Sequence, residues 1–144
     1  MKPGIMLAGA LVTAIIVGGG TAIAQDGVLR VGIITDMSGQ YKDGNGPGSV
    51  IAAQMAAEEI GGMVAGRKIE IISGDHQNKA DIASGIVREW IDNKHVDVIA
   101  EGVNSAVALA IQNITRARKK AFLISGAGSS AQIAIRPRPA RFAT

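Results

Sequence analysis

The sequence predicts an α/β fold: an open parallel sheet assembled from βαβ units. Three observations carry that expectation. Short β-branched runs alternate with single segments of helical length and period, and the loops that follow the strand runs are rich in Gly, Ser and Asn. The length of 144 residues, with 47% apolar and 19% charged side chains, suits one folded unit and not a disordered chain. Strands that alternate with single helices imply right-handed crossovers and a parallel sheet covered on both faces.

The elements follow in order. Residues 28–35 (VLRVGIIT), bounded by Gly27 and Asp36, read as a buried strand. Residues 36–48 hold four Gly, one Pro and two Asp and read as a loop. A helix is expected over 49–60, with Ser49 capping its first turn and Ala52, Ala56 and Ile60 in one apolar row beside Ile51 and Met55. Gly61 and Gly62 stop it. The pattern then repeats with a strand over 68–73, a polar turn over 74–77 and a helix over 78–93. In that helix Ile82, Ile86 and Trp90 stack beside Ala83, Val87 and Ile91. A strand over 96–100, a helix over 105–118 with Val107, Ala110, Ile111, Ile114 and Ala117 inward, and a strand over 121–125 complete the series. From Ala131 onward no period survives, and Arg136-Pro137-Arg138-Pro139 cannot donate regular backbone bonds at its prolines. Residues 131–144 are therefore expected to be a disordered tail.

The first 24 residues have the build of a secretory signal: Lys2 at a positive start, an uncharged and mostly apolar run over 5–17, and Ala22-Ile23-Ala24 with small residues where a signal peptidase reads. Cleavage after Ala24 is expected. A membrane anchor needs ~20 consecutive apolar residues, and this run breaks at Gly18-Gly19-Gly20. Charge adds little. Removing Lys2 with the leader and the three Arg of the last nine residues leaves 11 basic against 12 acidic residues. The basic excess of the whole chain thus sits in its tail, and no basic face for nucleic acid is expected.

Chemistry is expected where the loops after the strands converge, because an open parallel sheet binds ligands beyond the carboxyl ends of its strands, where strand order reverses. Backbone N–H groups and helix N-termini in such loops favour anions, and Ser hydroxyls add adaptable bonds. Ser105 either caps the third helix or faces a carboxylate. Asp75-His76 reads as a solvated turn, not as a catalytic dyad. The absence of Cys excludes a disulfide, a thiolate zinc site and a Cys nucleophile, and no other spacing suits a metal. No cofactor is implied. The turn after the first strand reads Asp36-Met37-Ser38-Gly39-Gln40-Tyr41, without the G-x-G-x-x-G of a dinucleotide site, and no G-x-x-x-x-G-K-[ST] exists.

The blocks VLRVGIITDMSGQY, GPGSVIAAQMAAEEIGG, GRKIEIISGDHQNKAD, VDVIAEGVNSAVALA and FLISGAGSS, in this order over residues 27–130, resemble the N-terminal lobe of periplasmic solute-binding proteins of ABC importers. The nearest group is the branched-chain amino-acid (leucine/isoleucine/valine-type) family. The resemblance implies a lobe of the type I periplasmic binding fold over 25–130, present here in incomplete form. It implies binding without catalysis, a small carboxylate-bearing solute, a membrane permease as partner and a periplasmic location. It sets Ser105 on the solute carboxylate, with Asn104 beside it where some members have Cys. It makes Ala127, Gly128 and Ser129 the loop that completes the grip, Ser129 standing where many relatives have Thr. It sets Tyr41 as the aromatic of the first loop that touches the solute. The block Asp75-His76-Gln77-Asn78 is shared with a subgroup for which aromatic or other small organic acids come into question.

One departure from the family pattern is a chain that stops before a hinge and second lobe. The expectation is a truncated product, out of frame after the 126–130 loop, whose rim would leave a solute wet where good sites bury ~70–90% of the ligand. The rival readings are a non-functional remnant, a nucleotide-dependent Rossmann-like enzyme fragment and a receiver-like signalling domain. The missing glycine pattern opposes the second rival, and export opposes both it and the third.

Overall fold

The computed structural model describes residues 27–100 and 102–133. The leader, its cut after Ala24 and the tail from residue 134 lie outside the described residues. The element order is β1 (Val28–Thr35), α1 (Lys42–Glu59), β2 (Met63–Val64), β3 (Arg67–Asp75), α2 (Ala80–Asp92), β4 (Val98–Ala100), α3 (Ser105–Ala117), β5 (Ala121–Leu123) and the single turn α4 (Ser130–Ile133). The first three residues of the expected tail, 131–133, thus belong to α4.

The strands form one sheet in the order β2-β3-β1-β4-β5. Every pairing is parallel except that of β2, which runs antiparallel to β3. The register sets Thr35 opposite Asp75, Gly32 opposite Ile99 and Ile99 opposite Phe122. From β1 the chain moves to β3 on one side and then crosses to β4 on the other. Right-handed crossovers therefore put α1 on one face and α2 with α3 on the opposite face. At the amino ends Asp97 ties three segments together: it accepts from the backbone N–H of Arg30 at 3.0 Å and from Nη2 of Arg67 at 2.9 Å.

The core lies on the α2–α3 face. Ile34, Val87, Trp90, Ile91, Val96, Ile99, Val107, Ile111 and Ile114 form one buried cluster, with Ile72, Ile86 and Phe122 packed against it. Of the expected inward row of α2, Ala83, Val87, Trp90 and Ile91 are buried in the cluster and Ile86 packs against it, while Ile82 is half-buried outside it. In α3 the inward set turns slightly: Ala108 and Thr115 are buried, whereas Ala117 is exposed. Trp90 packs directly on the sheet where two glycines make room. A Cβ built on Gly32 would lie 2.5 Å from its ring, and one on Gly74 would lie 2.9 Å away.

The α1 face departs from expectation in three ways. Helix starts at Lys42, inside the expected loop, and bends at Gly46 (ψ −118°) before Pro47. Gly46 is buried and folds back onto β1, where a Cβ would stand 2.8 Å from the Asp36 carbonyl oxygen. Hydroxyls then satisfy the Asn45 carbonyl, Thr35 Oγ1 donating at 2.9 Å and Ser49 Oγ from one turn on. Ser49 thus bonds backwards along the helix and does not cap its start. Next, the row facing the sheet is Ser49, Ala53 and Ala57 with Val50, all half-buried, while Ile51, Ala52, Met55, Ala56 and Ile60 are exposed. The helix is apolar around most of its circumference, so its sequence leaves the rotation open, and small Ala side chains allow the closer approach. Finally, α1 packs on β1 and β3, and on that face a cavity of about 220 Å³ lies open against β4 and β5. It is lined by Ile33, Ser49, Ala53, Ala100, Leu123, Ile124 and Ser125. Leu123 is 60% exposed there. Coverage of both faces is complete only over β1 and β3.

The β3 strand runs two residues further than expected, and Asp75 at its end clamps the chain that leaves β1. It accepts from Met37 N (3.0 Å), Ser38 Oγ (2.6 Å) and Gln77 N (2.8 Å). Desolvation favours the neutral acid. The bonds from Ser38, Met37 and Gln77 and the field of His76 outweigh it and hold the carboxyl below its ordinary value.

Two predictions follow from these contacts. Gly32→Ala must displace the Trp90 ring and should cost about 1–3 kcal/mol of stability in urea unfolding followed by tryptophan fluorescence; an unchanged midpoint would refute the packing. A carboxyl whose native pKa lies below its unfolded value stabilises the fold above the unfolded pKa, and that contribution fades as pH falls through the native value. The melting temperature of Asp75→Asn should therefore lie below that of the parent near neutrality and converge with it below about pH 4. A gap that stays constant across that range would refute the clamp.

Candidate functional site

Because β1, β3, β4 and β5 are parallel, their carboxyl ends open on one edge of the sheet, and the strand order reverses between β1 and β4. The sequence-derived candidates gather on that rim. Tyr41 closes the loop after β1 and is 36% exposed. Asn104 and Ser105 follow β4 at the start of α3. Ala127, Gly128 and Ser129 follow β5 and lead into α4. Three neighbouring strands thus deliver all six residues to the same side of the molecule. Two larger cavities among the described residues, each about 410 Å³, lie elsewhere. One is lined by Arg30, Glu70, Ile72, Asn93, Lys94 and His95 near the start of β4. The other is a groove between α2 and α3. Both are bordered by solvent-facing charged chains, and neither collects loops at strand carboxyl ends.

Each rim loop is held by a side-chain acceptor aimed at backbone N–H groups. Asp36 is fully buried; its Oδ1 takes Gly39 N at 2.7 Å and its Oδ2 takes Tyr41 N at 3.0 Å. A Cβ at position 39 would stand 2.5 Å from that carboxylate, so the turn requires Gly. Asp75 holds the neighbouring segment as described. His76, expected in a solvated turn, is fully buried, and its Nδ1 accepts from Asn78 N at 3.0 Å. It is among the largest fully buried side chains of the described residues.

The open alternative for Ser105 is resolved on the capping side: Asn104 is the cap. Its Oδ1 accepts from Ala106 N at 2.7 Å and Val107 N at 3.2 Å, and its Nδ2 donates to Asn78 Oδ1 at 2.6 Å. Asn104, grouped by resemblance with the solute-touching residues, has its amide engaged within the protein. Ser105 is the first residue of α3, where the helix dipole and the N-terminal N–H groups favour negative charge. In the last loop Ser129 Oγ accepts from Ala131 N at 3.3 Å.

The rim therefore carries Ser105, Ser129, the Tyr41 ring and the N-terminus of α3, while the two aspartates beside it point inward at the backbone. Chemically it suits a small anion better than a cation. That Asp36, Asp75, His76 and Asn78 hold the rim loops escaped the sequence reading of the site. The signal for the first was present in Asp36-Met37-Ser38-Gly39, an acid whose side chain closes a turn onto a glycine three residues on. Among the described residues no helix is long and apolar enough to cross a membrane.

Comparison with known proteins agrees with this geometry. The family described as periplasmic binding protein matches residues 28–137, seven residues past the limit set by the sequence blocks. A solved periplasmic binding protein from Burkholderia mallei is 43% identical, with a TM-score of 0.71 over 73% of this chain and 28% of its own. A branched-chain amino-acid ABC transporter periplasmic ligand-binding protein from Burkholderia xenovorans is 44% identical, with a TM-score of 0.68 over 70% of this chain and 27% of its own. A solute-binding protein of an ABC transporter from Rhodopseudomonas palustris, solved with 3,4-dihydroxybenzoic acid, is 30% identical, with a TM-score of 0.66 over 73% and 29%. No curated protein matches. The chain spans less than a third of the length of each of these structures. With its βαβ order, its rim and its match over 28–137, the chain belongs to the periplasmic binding protein family.

Proposed function

We propose that the chain serves as a solute-gripping lobe of the extracytoplasmic binding component of an ABC importer, and that it binds without catalysis. One observation supports this most: Tyr41, Ser105 and the loop of Ala127, Gly128 and Ser129 come from three adjacent strand ends of one sheet. In this reading the Ser105 hydroxyl and the α3 N-terminus take a solute carboxylate. The 127–129 loop supplies a backbone group and the Ser129 hydroxyl, and Tyr41 covers the solute's apolar part. Asn104 supports the helix start and does not touch the solute. Because Asp36 and Asp75 already bond to loop N–H groups, this lobe offers little to an ammonium group. The solute class is a small organic acid, whether an amino acid, as the B. xenovorans relative's description suggests, or an aromatic acid like the R. palustris ligand. The permease of the importer is the partner, and the periplasm is the compartment, reached by the 1–24 leader. Residues 25–130 make up the lobe.

Calorimetric and NMR titration of the chain with leucine, isoleucine, valine and hydroxybenzoates tests this reading. Weak binding is expected, with shifts confined to residues 41, 105–107 and 127–129. Ser105→Ala should weaken it about tenfold, the scale of one hydrogen bond to a charged group. Shifts centred on Arg30 and His95, or no binding by any of these acids, would refute it. Exported material should begin at Gln25; a product that retains Met1 would refute the leader.

A further inference from the structure

We infer that Asn78, which touches no solute in the reading above, is a positioning residue for the Ser105 site, acting through Asn104. The inference rests on that reading of the rim. An Asn cap works in only one orientation of its amide. With Oδ1 toward the helix it accepts from Ala106 and Val107; flipped, its NH₂ would face two N–H donors and leave them unsatisfied. The bond from Asn104 Nδ2 to Asn78 Oδ1 at 2.6 Å selects the productive orientation.

The turn that carries Asn78 is itself held by His76. The Asn78 backbone N–H donates to the buried His76 ring at 3.0 Å, and the next residue, Lys79, donates to the His76 carbonyl at 2.8 Å. Gln77 and Asn78 both adopt left-handed backbone, φ 51° and 56°, which turns the chain sharply out of β3 and aims the Asn78 amide across the sheet at α3. Asn tolerates that conformation better than most residues. Asn78 in the β3–α2 turn and Asn104 at the start of α3 are 26 residues apart in sequence, and their amide pair joins the two segments. Solute affinity at Ser105 is thereby linked to a turn that the solute does not reach.

The variant Asn78→Gly removes the amide while keeping the left-handed backbone free of strain. In the full chain it should speed hydrogen exchange at the Ala106 and Val107 amides about fivefold, the scale of one neutral hydrogen bond. It should weaken binding of 3,4-dihydroxybenzoate or leucine, whichever the parent binds, by a similar factor. Asn78→Asp keeps an acceptor facing Asn104 Nδ2 and should restore slow exchange. The deciding comparison uses Asn104→Asp, whose carboxylate caps in either orientation and needs no orienting partner. In that background Asn78→Gly should change neither exchange nor affinity.

Equal losses in both backgrounds would mean general damage to the turn and would overturn the proposal. So would an Asn78→Gly chain that binds and exchanges like the parent. Failure of the parent to bind either probe would overturn the rim reading and this role with it. The exchange result tells that failure apart from a missing Asn78–Asn104 bridge.

Discussion

The seating of Trp90 on Gly32 and Gly74 is the contact on which the rest of the architecture depends. Two adjacent strands lack side chains at the points where the ring approaches, and a Cβ on either would come within 3 Å of it. The indole can therefore lie close to the sheet and bring α2 down with it. Its own carbonyl accepts from Val96 N at 3.0 Å, so the seating also fixes where the chain turns toward β4. That turn delivers β4 to the far side of β1 and creates the reversal of strand order at which the rim opens. A packing contact on the α2 face thus determines where the loops converge. Burial of a large aromatic against close backbone is well suited to this, because its many contacts fade steeply with small displacements.

How legible this was depended on which physical term set each feature. In α2 the expected apolar side matches the observed burial at Ala83, Val87, Trp90 and Ile91 because that helix has one apolar side and one polar side, so only one rotation buries it. The parallel order and the common rim were equally legible, since single-helix crossovers leave few topologies. Rotation of α1 was not legible. Ala, Ile, Met and Val occur around most of its circumference, and the choice between Ala52 and Ala53 as the inward side is made by how closely the backbone can approach β1. The early helical turn at Lys42 was hidden by Gly44, Gly46, Pro47 and Gly48, residues that read as a loop, of which Gly46 lets the chain fold back on the Asp36 carbonyl.

The site divides along the same line. Tyr41, Ser105 and the 127–129 loop were legible as rim residues because position after a strand fixes the side of the molecule on which a residue lies. What each side chain does was less so. Ser105 and Asn104 are neighbours with nearly equal preference for the cap position, and tertiary structure decides between them: Asn104 can reach both the helix N–H groups and Asn78, a span no Ser side chain could bridge. His76 was missed because a polar turn in sequence carries no sign that its ring will be enclosed.

These acceptors explain how loops with so much Gly and Ser can serve as a binding edge. Such segments have few apolar contacts and lose much entropy on ordering, so by composition they should be loose. Asp36 closes its own loop, Asp75 ties that loop to the β3 end, His76 holds the turn beyond it, and Asn104 joins that turn to α3. Each places an oxygen or ring nitrogen on backbone N–H groups that would otherwise lack partners in a compact rim. The result is a chain of bonds running from β1 through β3 to α3. Ordering that is complete before the solute arrives does not have to be supplied by binding. Under the proposed function, that prior order lowers the entropic cost of taking up a small anion.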